Sequence, residues 1–264
     1  MVVAPLCSGS SANSTFIGNR DGGVLIDVGC SYKKLCEYLS LCGLELTAVK
    51  AVLITHEHAD HVKGLFQFTK RNTVPVFASR GTCNALLEKG LVYDSDKLFD
   101  ISGGGVEDYC DFSVKAFDTP HDSAQSVGFA ITLPNGYKIA YFTDLGEITA
   151  EVREATLGAD FAFIESNYDP ELLRNNRKYP GFTKERIRSR YGHLSNVDSA
   201  DYILKLVEGG ATRIMLAHLS RENNTPQTAF THTANALTAA GLRHNRDYTL
   251  DIANAQTIGK YIAV

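Results

Sequence analysis

Thr55-His56-Glu57-His58-Ala59-Asp60-His61 places four side chains able to ligate a metal, His56, His58, Asp60 and His61, within six residues. Imidazole nitrogens and a carboxylate at this density suit a divalent transition ion. The motif follows Ala51-Val52-Leu53-Ile54, a short, partly β-branched run that reads as a buried strand. A chain leaving a strand can curl, so His56 and His58 turn toward one ion while Asp60 and His61, entering a helix, reach a second. Three more candidates emerge from the ends of apolar strands: His121 in Asp118-Thr119-Pro120-His121-Asp122, Asp144 in Tyr141-Phe142-Thr143-Asp144, and His218 in Met215-Leu216-Ala217-His218. An isolated histidine of this kind is more often a satisfied structural group. Three in one pattern favour ligation. The reading gives His56, His58 and His121 to one ion, Asp60, His61 and His218 to the other, and Asp144 to the bridge, with Asp60 also counted among the catalytic groups. Two ions about 3.5–4 Å apart lower the pKa of a shared water and clamp the attacking and leaving oxygens, so the chemistry implied is hydrolysis. Zn²⁺, Mn²⁺ and Fe²⁺ all suit these ligands, and the residue types do not choose among them.

The elements that must position these residues follow from the hydrophobic pattern. Strands are expected over 15–17, 23–27, 49–54, 74–78, 112–117, 128–133, 138–142, 161–164 and 213–216, with a final pair from 248. Helices are expected over 32–42, 62–71, 82–89, 184–190, 196–208 and 226–240. Asp21-Gly22 and Pro134-Asn135-Gly136 supply turn residues, Ser31 caps the first helix and Gly43 ends it. Gly103-Gly104-Gly105 lacks the helix-opening context of a phosphate loop and reads as a turn. Strands and helices interleave in both halves, which predicts two packed sheets covered by helices on their outer faces. No repeat or low-complexity linker divides the chain, so a single domain over 1–264 is expected.

Composition narrows the setting. With 44% hydrophobic and 21% charged residues, the balance is that of an ordinary globular protein. No apolar run approaches the ~20 residues that span a bilayer, and the N-terminal residues lack a basic n-region, so neither a membrane anchor nor a signal peptide is expected. Six scattered cysteines without a Cys-x-x-Cys pair suit a reducing cytoplasm. The net charge of −4 argues against non-specific nucleic-acid binding by the whole surface. Between Glu171 and His193, however, seven basic residues stand against two acidic ones. Such a run is either a solvated helix face or a patch for a polyanion, with Arg186 and Arg188 as candidate substrate contacts.

The motif, the ligand order and the strand–helix pattern resemble the metallo-β-lactamase fold superfamily across nearly the whole chain. The resemblance implies an α/β (α+β) fold, a four-layer αββα sandwich, with two divalent ions at one edge between the sheets. Ile164-Glu165-Ser166-Asn167 and Tyr191-Gly192-His193-Leu194-Ser195-Asn196 resemble segments of its nuclease branch. There a Glu and a His form a relay that protonates the leaving oxygen, which would make Glu165 the orienting group and His193 the general acid. His193 as a mere helix-capping or pocket residue is the plain alternative. Ser8-Gly9-Ser10-Ser11-Ala12-Asn13-Ser14 and His218-Leu219-Ser220-Arg221-Glu222-Asn223-Asn224 resemble the YycJ/WalJ-like group, with Ala12 in place of an expected glycine. That group is associated with 5′-to-3′ exonuclease activity on DNA, so a DNA substrate is implied. The span between His121 and Asp144 is too short for the tRNA-gripping arm of tRNase Z, and that between Asp144 and His218 too short for a β-CASP domain. Two other readings remain: a hydrolase of a small ester, lactone or thioester on the same scaffold, and a binding module with a structural metal.

Overall fold

Short apolar runs buried on both faces, alternating with capped helices, build a layered α/β protein. The computed structural model describes residues 1–102, 106–109, 111–254 and 262–264. The expected turn at Gly103-Gly104-Gly105, and Cys110, lie outside the described residues. In chain order the first elements are β1 (Val2–Cys7), β2 (Ser14–Gly18), β3 (Gly23–Ile26), α1 (Tyr32–Leu41), β4 (Val49–Leu53), α2 (Ala59–Val62) and α3 (Leu65–Arg71). Then come β5 (Val76–Ala78), α4 (Arg80–Glu88), β6 (Leu98–Asp100), β7 (Val106–Tyr109), β8 (Phe112–Asp118), β9 (Val127–Thr132) and β10 (Lys138–Phe142). The rest are α5 (Ala150–Thr156), β11 (Phe161–Glu165), α6 (Pro170–Asn175), α7 (Gly181–Arg188), α8 (Asn196–Glu208), β12 (Arg213–Ala217), α9 (Pro226–Ala239), β13 (Thr249–Ile252) and β14 (Ile262–Ala263). They form two compact units, one of residues 1–116, 123–127 and 253–264, the other of 117–122 and 128–252.

The first unit holds a sheet in the order β14-β1-β2-β3-β4-β5-β6, antiparallel through β3 and parallel from there to β6. The β2–β3 hairpin turns where Asp21-Gly22 predicts it, because the Asn19 side chain accepts from the Asp21 and Gly22 amides. One sheet face, including Phe16, Leu25, Val52 and Ile54, packs with Leu35 and Leu39 of α1, Leu65 and Phe68 of α3 and Leu86 of α4. The other face, with Ile17, Val24, Ile26, Ala51 and Leu53, is buried as well. β1 is a strand that the sequence reading leaves out, and the single helix expected over 62–71 is two, α2 and α3.

In the second unit β13, β12, β11 and β10 run parallel in that order, and β9 pairs antiparallel with β10. Helix α8 buries Tyr202, Ile203 and Leu206, and these join Phe142, Ile164, Leu216 and Leu237 in one core. Ser195 caps α8, and Thr225 with Pro226 at the first turn starts α9. Helices α5 and α6, absent from the sequence reading, are capped by Thr149 and Asp169. Among the described residues no helix is long and apolar enough to cross a membrane.

Candidate metal centre

Every candidate ligand in the first unit hangs from the exit of β4. Ile54 and Thr55 finish the buried run, His56 and His58 occupy the extended loop, and Asp60 and His61 sit in the single turn of α2. His56 and His61 are fully buried, with ring centroids 4.1 Å apart, and His58 stands edge-on to His56 at 4.6 Å. Three imidazoles so crowded, two of them fully buried, make poor structural neighbours unless something shared organises them.

For His61 that organisation comes from Asp27, immediately after β3, which the sequence reading took only as the last residue of its strand. Its Oδ2 lies 2.7 Å from His61 Nδ1 and accepts from the Thr55 hydroxyl at 2.9 Å, while Oδ1 accepts from the Thr55 amide at 2.9 Å. The arrangement leaves His61 Nε2 to face outward, which is how a carboxylate orients a metal-binding histidine. Burial pushes the Asp27 carboxyl upward, and His61 and Thr55 pull it back. Asn13 closes the other side, its amide nitrogen 3.0 Å from His61 Nε2 and 3.2 Å from Asp60 Oδ2. Gly29 makes that approach feasible, because a Cβ there would sit 1.7 Å from the Asp60 carbonyl oxygen.

The second unit gathers its candidates at the carboxyl ends of β8, β10, β11 and β12. Asp144 and His218 both take left-handed backbone, φ 59° and 52°, which non-glycine residues adopt rarely and which concentrates at functional sites. Glu165 Oε1 lies 2.8 Å from His193 Nδ1 and 2.8 Å from His218 Nδ1, while Oε2 accepts from the Leu145 and Leu194 amides. Asp144 Oδ1 sits 3.4 Å from His218 Nδ1, 3.6 Å from His193 Nδ1 and 3.9 Å from His121 Nε2. Asp144, Glu165, His193 and His218 each bring a ligand atom to within 4.8 Å of the others. His121 Nδ1 lies 3.1 Å from the Gly192 carbonyl, again leaving Nε2 as the outward nitrogen. Asn167 donates to the His218 carbonyl at 2.8 Å.

Electrostatics follow from this packing. Burial opposes the charge on Glu165, but His193 and the bonds from both histidines outweigh it and hold the carboxyl below its ordinary range. Burial lowers the basicity of His121, against the pull of Asp144. Imidazole nitrogens gathered next to carboxylate oxygens are a donor set that fits a divalent ion.

A family model described as the Beta-lactamase superfamily domain matches residues 24–219, a span that contains every candidate ligand. This chain belongs to that superfamily. Its fold class is the expected one, mixed α/β with two sheets flanked by helices, and it is a hydrolase of the metallo-β-lactamase fold. The chain is similar to "Exodeoxyribonuclease YycJ" of Bacillus anthracis, 34% identical over 85% of this chain and 84% of that protein. It is similar to "Exodeoxyribonuclease WalJ" of Streptococcus pneumoniae, 31% identical over 92% of this chain and 90% of that protein. Among solved structures, Zn²⁺-bound PqqB from Methylobacterium extorquens matches with a TM-score of 0.70 at 15% identity over the whole of both chains, a likeness of fold alone.

For a superfamily member the basic segment is less free than its composition suggests. Arg174 pairs with Glu171, Lys178 with Glu222, Arg190 with Glu147, and Arg186 with Asp122 beside His121. Arg188 donates to the Lys184 carbonyl at 3.3 Å and forms no ion pair among the described residues. Arg186 thus supports the neighbourhood of a candidate ligand. The groups that sequence reasoning missed, Asp27 and Thr55, carried one faint signal: a carboxylate directly after the apolar run Val24-Leu25-Ile26.

Proposed function

We propose that this protein is a metal-dependent phosphodiesterase that degrades DNA from the 5′ end, acting as one catalytic domain over 1–264 in the cytoplasm. His56, His58 and His121 would hold one divalent ion, Asp60, His61 and His218 a second, with Asp144 between them, and Zn²⁺ or Mn²⁺ suits the set. When bound, such ions supply Lewis acidity and lower the pKa of water. The observation that carries the reading is Glu165 Oε1, shared at 2.8 Å by the Nδ1 atoms of His193 and His218.

One carboxylate oxygen can hold both Nδ1 protons, and then both rings present Nε2 away from it. On His218 that nitrogen is a ligand. On His193, which remains partly exposed, it is a proton donor facing substrate. As a water oxygen bonds to phosphorus and the phosphorus–oxygen bond to the leaving nucleoside breaks, His193 Nε2 gives its proton to the leaving oxygen, and Glu165 stabilises the imidazolium that precedes the transfer. A phosphodiester leaving group needs this proton; an activated ester does not. The YycJ and WalJ names of the relatives point to DNA in the same direction.

A small-ester hydrolase is the competing reading, favoured by the ion pairs that offset the basic segment. Turnover of DNA and of a small aryl ester by the same metal-loaded preparation separates the two. The proposal expects DNA hydrolysis that stops on chelation, with negligible ester turnover. Ester turnover without DNA hydrolysis would replace it.

A further inference from the structure

Helix α7 buries no residue. A helix without an apolar stripe against a core gains nothing from packing and is held by other means. Here those means lead to the candidate centre: Arg186 pairs with Asp122 beside His121, and the His193 amide donates to the Ile187 carbonyl at 2.9 Å. Gly192, the carbonyl partner of His121, packs so closely under the end of α7 that a Cβ would meet the Ile187 carbonyl at 2.2 Å.

The outward side of α7 carries Phe182, 74% exposed and the most exposed large hydrophobic among the described residues. Tyr191 follows just beyond the helix, half exposed, with the Arg190 guanidinium 5.1 Å from its ring centroid. Arg177, Lys184 and Arg188 form no ion pair with a carboxylate among the described residues, and only Glu185 opposes them on this stretch. Single exposed aromatics are ordinary. An exposed ring on a helix with no packed face, among uncompensated cations and tied to the general acid, has the chemistry of a stacking platform.

We infer that Phe182 and Tyr191 stack bases of a single DNA strand, with Arg177, Lys184 and Arg188 against its phosphates, and that α7 is the surface that presents the strand to His193. The inference rests on the nuclease reading for its substrate. It assigns sequence-independent binding, since every base has a π-face, and a preference for single strands over blunt duplex, whose bases are already stacked.

The chain contains no tryptophan, so Phe182→Trp introduces a lone emitter at this surface. The full-length, Mn²⁺-loaded protein is titrated with a cleavage-resistant phosphorothioate oligo(dT) and with a blunt duplex. We expect the oligo(dT) to quench the introduced tryptophan, and Phe182→Ala to weaken oligo(dT) binding about tenfold while duplex binding changes little. Melting of both variants at the wild-type temperature verifies that the fold is intact, as substitution of so exposed a ring allows. Unquenched emission with unchanged affinity in Phe182→Ala overturns the stacking assignment. If the wild type still degrades DNA in that case, the nuclease reading survives alone; if quenching occurs without DNA hydrolysis, the platform stands and the nuclease reading falls.

Discussion

A single carboxylate oxygen serving two histidines gives Glu165 more weight than its place in a relay. On the proposed assignment His193 is the proton donor and not a ligand, so His193→Ala should retain its metal content and slow turnover by roughly 10²–10⁴-fold. Loss of metal in that variant would make His193 a ligand. Glu165→Gln disturbs both rings and should lower turnover and the content of the ion assigned to His218 together, measured by rate and elemental analysis on one preparation. Asp27 plays the matching part for His61. Asp27→Asn should weaken metal binding by roughly 10–100-fold, the usual worth of such a partner, and unaltered affinity would reduce Asp27 to a structural group. The left-handed backbone at Asp27, Asp144 and His218, φ 60°, 59° and 52°, recurs at the residue directly or almost directly after an apolar strand. Strain at those points turns the side chain out of the strand path and into the cluster.

At the scale of elements, strand ends do the positioning. His56, Asp144 and His218 were legible in the sequence because each stands just past a run of buried apolar residues, where periodicity is strong, whereas Glu165 was singled out only by the resemblance of Ile164-Glu165-Ser166-Asn167. His193 lies in no such place, and only the resemblance of Gly192-His193-Leu194-Ser195-Asn196 pointed to it. Asp27 was read as the last residue of its strand, and nothing in a linear pattern distinguishes a strand-terminal Asp from a buried orienting one. β1 escaped because Pro5 interrupts a short run; in the β1–β2 pair Ala4 stands opposite Phe16 and Pro5 opposite Thr15, and the register shifts between Pro5 and Cys7. The break between α2 and α3 at Gly64 arises from a backbone contact, where a Cβ would meet the Cys30 carbonyl at 2.1 Å, and contacts of that kind leave no periodic trace. Charge composition along the run does not include the partners of Arg186 and Arg190, since Asp122 and Glu147 lie outside it. Reversing the charge of Arg188, which has no such partner, should therefore weaken DNA binding and flatten its salt dependence more than neutralising Arg190. Equal effects in a salt titration would return the segment to a solvated face.

For the whole molecule, buried phenols set a limit at high pH. Tyr168 is pushed up to about 12 by burial and by Asp198, against the pull of Arg188. Its folded pKa lies above the unfolded value of 10.0, so its stabilising contribution is complete below pH 10 and is lost as pH rises through about 12. Burial raises Tyr202 and Tyr248 in the same direction. Stability should fall steeply in that alkaline window, and Tyr168→Phe should fall less steeply, as followed by denaturant midpoints. Parallel curves would show that the phenol is not coupled to folding.

The central claim joins the histidines after β4 to a phosphodiester reaction. Degradation of 5′- and 3′-end-labelled DNA by the Mn²⁺- or Zn²⁺-loaded protein, beside His58→Ala, tests it most directly. We predict shortening from the 5′ end that disappears in His58→Ala together with bound metal. Intact DNA with either metal, or unchanged cleavage by His58→Ala, would contradict it.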